Sequence, residues 1–265
     1  MMKKILLSLV ALACLGTANA QFYNVGTANH AGRVNLHIGI NNISSGMTYY
    51  SPKTADDWGT YGLVERTPEN IDYKPGFYVG FTTSTLRDRT ETFKLGASLD
   101  VFYGTHSTSA TFNGSVAKPN AVYEFENKIS AIDVAIALAG ELTLAEKFGI
   151  AFDLGPYVDA LVGQKVRSVE TVGAASNEVD WHDAEKSSMA MPNIDFGIMG
   201  RLGFNYHFSE TMWVGAAAQY NLPVFSFGGS GFEDDRIRQM DYNFSYKSDK
   251  RKSWALMLTF GIDIM

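Results

Sequence analysis

The sequence predicts an all-β fold, an eight-stranded antiparallel up-and-down transmembrane β-barrel. Three observations carry this reading. Eight segments alternate apolar and polar residues with period two. The connections between them run long, short, long, short, long, short, long, as in barrels whose turns lie on one side of a membrane and loops on the other. The last segment ends the chain as a strand. No internal run of 18 or more apolar residues exists to cross a bilayer as a helix, and a barrel needs none, because its lipid-facing and bore-facing residues alternate. Charged residues make up 19% and aromatic residues 13%, which suits a barrel better than a helical protein.

The N-terminus reads as a secretory signal. Met1-Met2-Lys3-Lys4 is basic, Ile5 to Leu15 is apolar, and Ala18-Asn19-Ala20 offers small residues for cleavage before Gln21. The organisation expected is a signal peptide over 1–20, a polar lead over 21–31 and an outer-membrane barrel over 32–265. The only cysteine, Cys14, lies in the signal, so the cleaved chain has no disulfide. A lipoprotein would instead keep Cys14 as its acylated first residue, but Ala11-Leu12-Ala13 only loosely resembles the motif this requires. Loss of Lys3 and Lys4 leaves 20 basic against 28 acidic residues, a net charge of −8, which excludes an electrostatic nucleic-acid binder.

The first segment sets Val34, Leu36, Ile38 and Ile40 against Arg33, Asn35, His37 and Gly39. Loop-like sequence over 44–74 follows, rich in Gly, Asp, Thr and Tyr. The second segment sets Phe77, Val79 and Phe81 against Tyr78, Gly80 and Thr82. A short turn at 87–90 leads to the third, with Phe93, Leu95, Leu99, Val101 and Tyr103 on one face and Lys94, Ser98, Asp100 and Phe102 on the other. Residues 104–127 are expected to form a second long loop.

The clearest hairpin spans 132–162. Ile132, Val134, Ile136, Leu138, Leu142 and Leu144 share a face, and Asp133, Ala135, Ala137, Ala139 and Glu141 share the other. After Ala145-Glu146-Lys147 the pattern restarts: Phe148, Ile150, Phe152, Leu154, Val158, Ala160 and Val162 oppose Asp153, Tyr157 and Asp159. A third loop is expected over 164–190. The sixth segment sets Ile198, Leu202, Phe204, Tyr206 and Phe208 against Asp195, Met199, Arg201 and His207. The seventh, after Ser209-Glu210-Thr211, sets Val214, Ala216, Ala218, Tyr220 and Leu222 against Trp213, Gly215, Gln219 and Asn221. A fourth loop over 224–251 precedes the eighth, with Trp254, Leu256, Leu258, Phe260, Ile262 and Ile264 against Met257, Thr259, Gly261 and Asp263.

The rival architecture is a soluble eight-stranded barrel with its apolar face inside. Volume argues against it. Such a barrel is only wide enough for its own side chains, and roughly six large apolar residues per strand do not fit there. Gly, Ala, Ser and Asp fit inside, and Leu, Ile and Phe fit against lipid. Aromatic residues reinforce this: Phe77, Tyr103, Tyr220 and Trp254 lie towards the loop ends, and Phe93, Phe148, Tyr206 and Phe208 towards the turn ends, as two interfacial girdles would.

The signal peptide, the eight segments and the ending Thr259-Phe260-Gly261-Ile262-Asp263-Ile264-Met265 resemble the small outer-membrane β-barrel superfamily, of the OmpA-like or PorT-like kind. The ending is similar to that family's C-terminal assembly signal, except that Met265 replaces the usual terminal aromatic. The resemblance implies location in the cell outer membrane, with outer-membrane lipid and the barrel-assembly machinery as partners.

Inside the expected bore lie Arg33, His37, Lys94, Asp100, Asp133, Glu141, Asp153, Asp159, Asp195, Arg201, His207 and Asp263. Charge in a narrow lumen is either paired or lines a pathway. The expectation is a structural charge network filling the bore; the alternative is a narrow, cation-preferring channel. No cofactor and no metal are expected. Glu178, Asp180, His182 and Asp183 carry cation-ligand chemistry but read as solvated loop charge, and Gly228-Gly229-Ser230-Gly231 only faintly echoes a calcium-binding repeat. A lipid-modifying enzyme would need a nucleophile and base. His106-Ser107-Thr108-Ser109 has Thr at the position where the deacylase pattern has Ser, so no enzyme is expected. Tyr49, Tyr50, Trp58, Tyr61, Tyr73, Trp181, Tyr242 and Tyr246 in the loops suit contact with an extracellular protein or glycan.

Overall fold

A computed structural model describes residues 30–44, 48–52, 63–66, 69–90, 92–114, 118–183, 194–227, 243–245 and 251–264. The signal peptide, Cys14, the lead before residue 30, the Gly-rich run at 228–231 and the aromatics Trp58, Tyr61, Tyr242 and Tyr246 lie outside the described residues. So do the side chains of Tyr49 and Tyr50.

In chain order the strands are β1 (His30–Ser44), β2 (Thr48–Pro52), β3 (Leu63–Arg66), β4 (Asn70–Lys74), β5 (Gly76–Thr90), β6 (Phe93–Asn113), β7 (Ala121–Ala145), β8 (Phe148–Val172), β9 (Ala175–Asp183), β10 (Ile194–His207), β11 (Met212–Phe227), β12 (Asn243–Ser245) and β13 (Lys252–Ile264). Eight of these close a ring in the order β10-β11-β13-β1-β5-β6-β7-β8, with β8 pairing back onto β10. All the pairings are antiparallel. These are the eight segments read from the alternation. Closure leaves no open edge in the membrane, where an unpaired N–H or C=O would cost several kcal/mol.

Three of the ring strands run on far beyond a bilayer. The regions expected to be loops over 104–127 and 164–190 are mostly strand: β6 is 21 residues long, and β7 and β8 are 25 each. β4 pairs with the end of β6, and β9 with the end of β8, so a five-stranded extension β4-β6-β7-β8-β9 rises from one side of the barrel. Part of the region read as loop over 44–74 is likewise β2, β3 and β4, with β12-β2-β3 as a separate small sheet.

The reason for the correction is polarity. In the extension the apolar face turns inward: Ala110, Phe112, Tyr123, Phe125, Ile129 and Val166 form a buried cluster, with Ile71, Leu161 and Val179 packed against it. Outward positions such as Glu124 and Lys128 are exposed. A segment whose outer face is charged looks like loop when lipid-facing residues are sought. A bulge opposite Ser130 and Ala131 leaves Val162 unpaired and reverses which residues of β8 face inward, so Val162 does not continue the Val158–Ala160 face.

Candidate functional site

The exterior decides where the barrel sits. Ile136 is 63% exposed, Leu202 61% and Leu258 67%, and Leu36, Ile38, Leu138, Leu154, Ile198, Phe204, Leu256 and Phe260 join them in an apolar belt around the ring. Water would make such a surface an aggregation site; lipid makes it the stable arrangement. The chain is a membrane-spanning β-barrel of the outer-membrane type. Phe77, Tyr220 and Trp254 stand exposed at the loop end, and Phe148, Tyr206 and Phe208 at the turn end.

The candidate site is the bore, where arginines tie strands together at three levels. Near the turns, Arg33 on β1 donates from Nε and Nη2 to both carboxylate oxygens of Asp263, at 2.7 and 3.3 Å, and from Nη1 to Glu141 at 2.5 Å. Asn205 Nδ2 also donates to Glu141, at 2.9 Å, and His207 Nε2 stands 3.3 Å from the other Glu141 oxygen. At mid-height, Arg201 on β10 donates to Asp153 and Asp100, both at 2.8 Å. Ser98 and Thr82 hydroxyls donate to the same two carboxylates. Near the loops, Arg251 Nε lies 2.8 Å from Asp195 and 3.1 Å from Asp159, and Ser226 donates to Asp195. Each guanidinium thus links carboxylates on two other strands, and those of Arg33 and Arg201 do so with several donors of the planar fork.

Beside the upper level, Tyr78 donates to Asp133 at 2.8 Å and accepts from Gln219 at 3.0 Å. Its ring stacks on Phe102 with centroids 4.8 Å apart, Arg201 lies over the Phe102 ring, and Arg33 lies over Trp213. These rings fill bore volume that small residues were expected to fill. Glycine makes the room: a Cβ on Gly80 would stand 2.3 Å from the Phe102 ring, and one on Gly261 would stand 2.0 Å from that of Trp213.

All the expected bore residues face inward, but they do not act alike. Arg33, Asp100, Glu141, Asp153, Asp159, Asp195, Arg201 and Asp263 join ion pairs. Asp133 bonds to Tyr78 and Asn221. His37 bonds to two hydroxyls, Thr259 and Thr82, each at 2.9 Å. Lys94 is half-buried at the turn end and makes no ion pair among the described residues, so it stands apart from the network. Arg251, within the region expected to be loop over 224–251, belongs to the bore instead. It sits one residue before β13 and is 1% exposed. The available signal is its place two residues before Ser253, in the inward register of that strand.

The remaining candidates separate along the strands. His106 and Thr108 point inward while Ser107 and Ser109 point outward, because neighbours on a strand face opposite ways, so neither of these two hydroxyls meets the imidazole. Glu178, Asp180, His182 and Asp183 lie along β9. Arg167 pairs with Glu178 at 2.7 Å, and His182 Nδ1 bonds to the Asp180 carbonyl. No group of three or more His, Cys, Asp or Glu among the described residues is placed to hold a metal.

No family model and no curated protein matches the sequence. Solved structures that resemble it are bacterial barrels. OprG of Pseudomonas aeruginosa is 10% identical, with 89% of this chain and 99% of that one covered, at a TM-score of 0.43. Ail, the attachment invasion locus protein of Yersinia pestis, is 12% identical over 88% and 99% at 0.30, and it has also been solved with the heparin analogue sucrose octasulfate. The outer-membrane protease OmpT of Escherichia coli is 9% identical over 91% and 99% at 0.36.

Proposed function

We propose that the protein is a non-conducting outer-membrane barrel with a non-enzymatic role in membrane integrity, surface recognition or assembly support, exercised through its extracellular half. The observation that carries this is the bore itself, crossed by guanidinium–carboxylate bridges at three levels and packed with Tyr78, Phe102 and Trp213. A barrel of eight strands has little room left once such groups are in place. Removing one partner strands a buried charge, so the bridges act as cross-braces between distant strands. The strand extension then presents a rigid, folded platform above the membrane for an extracellular protein or glycan, and rigid elements position recognition surfaces better than free loops do.

The second reading, a narrow cation-preferring passage, is favoured by the surplus of acid: seven bore carboxylates face the guanidiniums of Arg33, Arg201 and Arg251. Planar-bilayer recording of refolded protein tests the choice. The braced bore gives no discrete openings at neutral pH, whereas steady cation-selective openings would establish the channel reading.

A further inference from the structure

The outer wall just above the aromatic girdle carries a feature that the bore and the platform leave unused. The last lipid-facing row across three strands is Tyr103 on β6, Ile132 on β7 and Ala160 on β8. The next outward row is Thr105, Ser130 and Gly163, and the one above it is Ser107, Lys128 and Lys165. Four residues of strand separate the apolar row from the lysines, about 13 Å along the chain and less along the tilted barrel's axis. From that height a long lysine side chain can reach down into the headgroup layer.

Lys128 and Lys165 are direct cross-strand partners, and both are exposed. Like charges so placed repel each other. The row above shows how this wall otherwise treats a cation: Arg167 is flanked by Glu126 at 3.5 Å and Glu178 at 2.7 Å. The lysine row lacks that arrangement. Asp183 lies opposite Lys165 in register, yet neither lysine makes an ion pair among the described residues. Lys128 instead rests its ammonium 3.7 Å from the centre of the Trp181 ring. Between the rows lies an open groove of about 500 Å³, whose lining includes Ser107, Lys128, Ser130, Gly163, Lys165 and the carboxylate of Asp183, so its two cations face one acid. The β8 bulge falls at this level, and Gly163 presents no side chain to the groove.

We infer that this groove is a binding site for the phosphate of an anionic membrane lipid, with Lys128 and Lys165 holding the phosphate oxygens, the Ser107 and Ser130 hydroxyls donating beside them, and the acyl chains descending over Tyr103, Ile132 and Ala160. The site rests on the membrane placement argued above. Two ammonium groups at headgroup depth suit an anion, and the apolar row directly beneath suits its chains. Trp181 adds an amphipathic ring at the same level, the depth such rings favour.

Native mass spectrometry of refolded protein, released from vesicles of phosphatidylcholine with a minority of phosphatidic acid, tests the site. Wild-type protein is expected to retain phosphatidic acid in preference to phosphatidylcholine. K128Q/K165Q should lose that preference by about thirtyfold, the effect of two basic residues beside an anionic surface. K147Q, which alters a lysine at the turn end, should leave it unchanged. Equal retention by wild type and K128Q/K165Q overturns the site, and displacement of the lipid by millimolar inorganic phosphate overturns the lipid in favour of a simple anion pocket. Heat-modifiable gel migration and protease protection of the same samples separate the two levels. Normal insertion with unchanged retention sinks the groove alone, and failure of every variant and the wild type to insert sinks the membrane placement as well.

Discussion

β7 holds two regions of opposite polarity. From Ile132 to Leu144 its large side chains point away from the barrel axis: Ile136 and Leu138 are exposed, and Ala135, Ala137 and Ala139 face in. From Ala121 to Ile129 the order is reversed, with Tyr123 and Phe125 buried inside and Glu124 and Lys128 outside. The strand is continuous, and the inward register does not slip on β7 itself. What changes is the solvent on the outer face. Below, that face meets lipid, and the bore must take the polar groups. Above, it meets water, and the interior becomes an ordinary hydrophobic core. One backbone geometry therefore serves two stabilisation mechanisms, bridged charge in the membrane half and apolar packing in the extracellular half.

The two halves should fail differently. Arg201→Met leaves Asp100 and Asp153 buried without their cation, and urea unfolding of the refolded barrel should show a loss of about 3–5 kcal/mol. Phe125→Ala in the extension core should cost a similar about 3–5 kcal/mol through the cavity it leaves, with proteolysis of the extension preceding loss of the barrel. Ile136→Arg puts a charge on the lipid face, and the same unfolding measurement should report about 2–4 kcal/mol. Val122→Arg is the matching change on the outward face of the same strand above the membrane. It should stay within about 0.5 kcal/mol, because the residue already meets water. Similar costs for Ile136→Arg and Val122→Arg would erase the distinction between the halves.

The membrane half was legible because lipid selects for a regular outer face. Leu36, Ile38 and Ile40, or Phe204 and Tyr206, announce both the strand and its orientation. The residues over 121–129 alternate just as strictly, but with Glu124, Glu126 and Lys128 outward, which resembles loop to a reading tuned to lipid. Most bore residues followed from parity alone. Arg251 did not, because it precedes the apolar alternation of β13. The partners of His37 and the aromatic filling of the bore were hidden for another reason. They depend on the register between adjacent strands, which sets Thr259 beside His37 and Gly80 opposite Phe102, and spacing within one segment carries none of that.

The inversion is tested most directly by position-specific contact with lipid. Single cysteines at Leu138 and Val122, in the chain from Gln21 onward, would each carry an environment-sensitive fluorophore, and the protein would be refolded into bilayers with and without brominated acyl chains. Strong quenching at position 138 and little at 122 is the predicted result. Equal quenching at the two positions, or quenching at 122 alone, would contradict an exterior that changes from lipid to water along one strand.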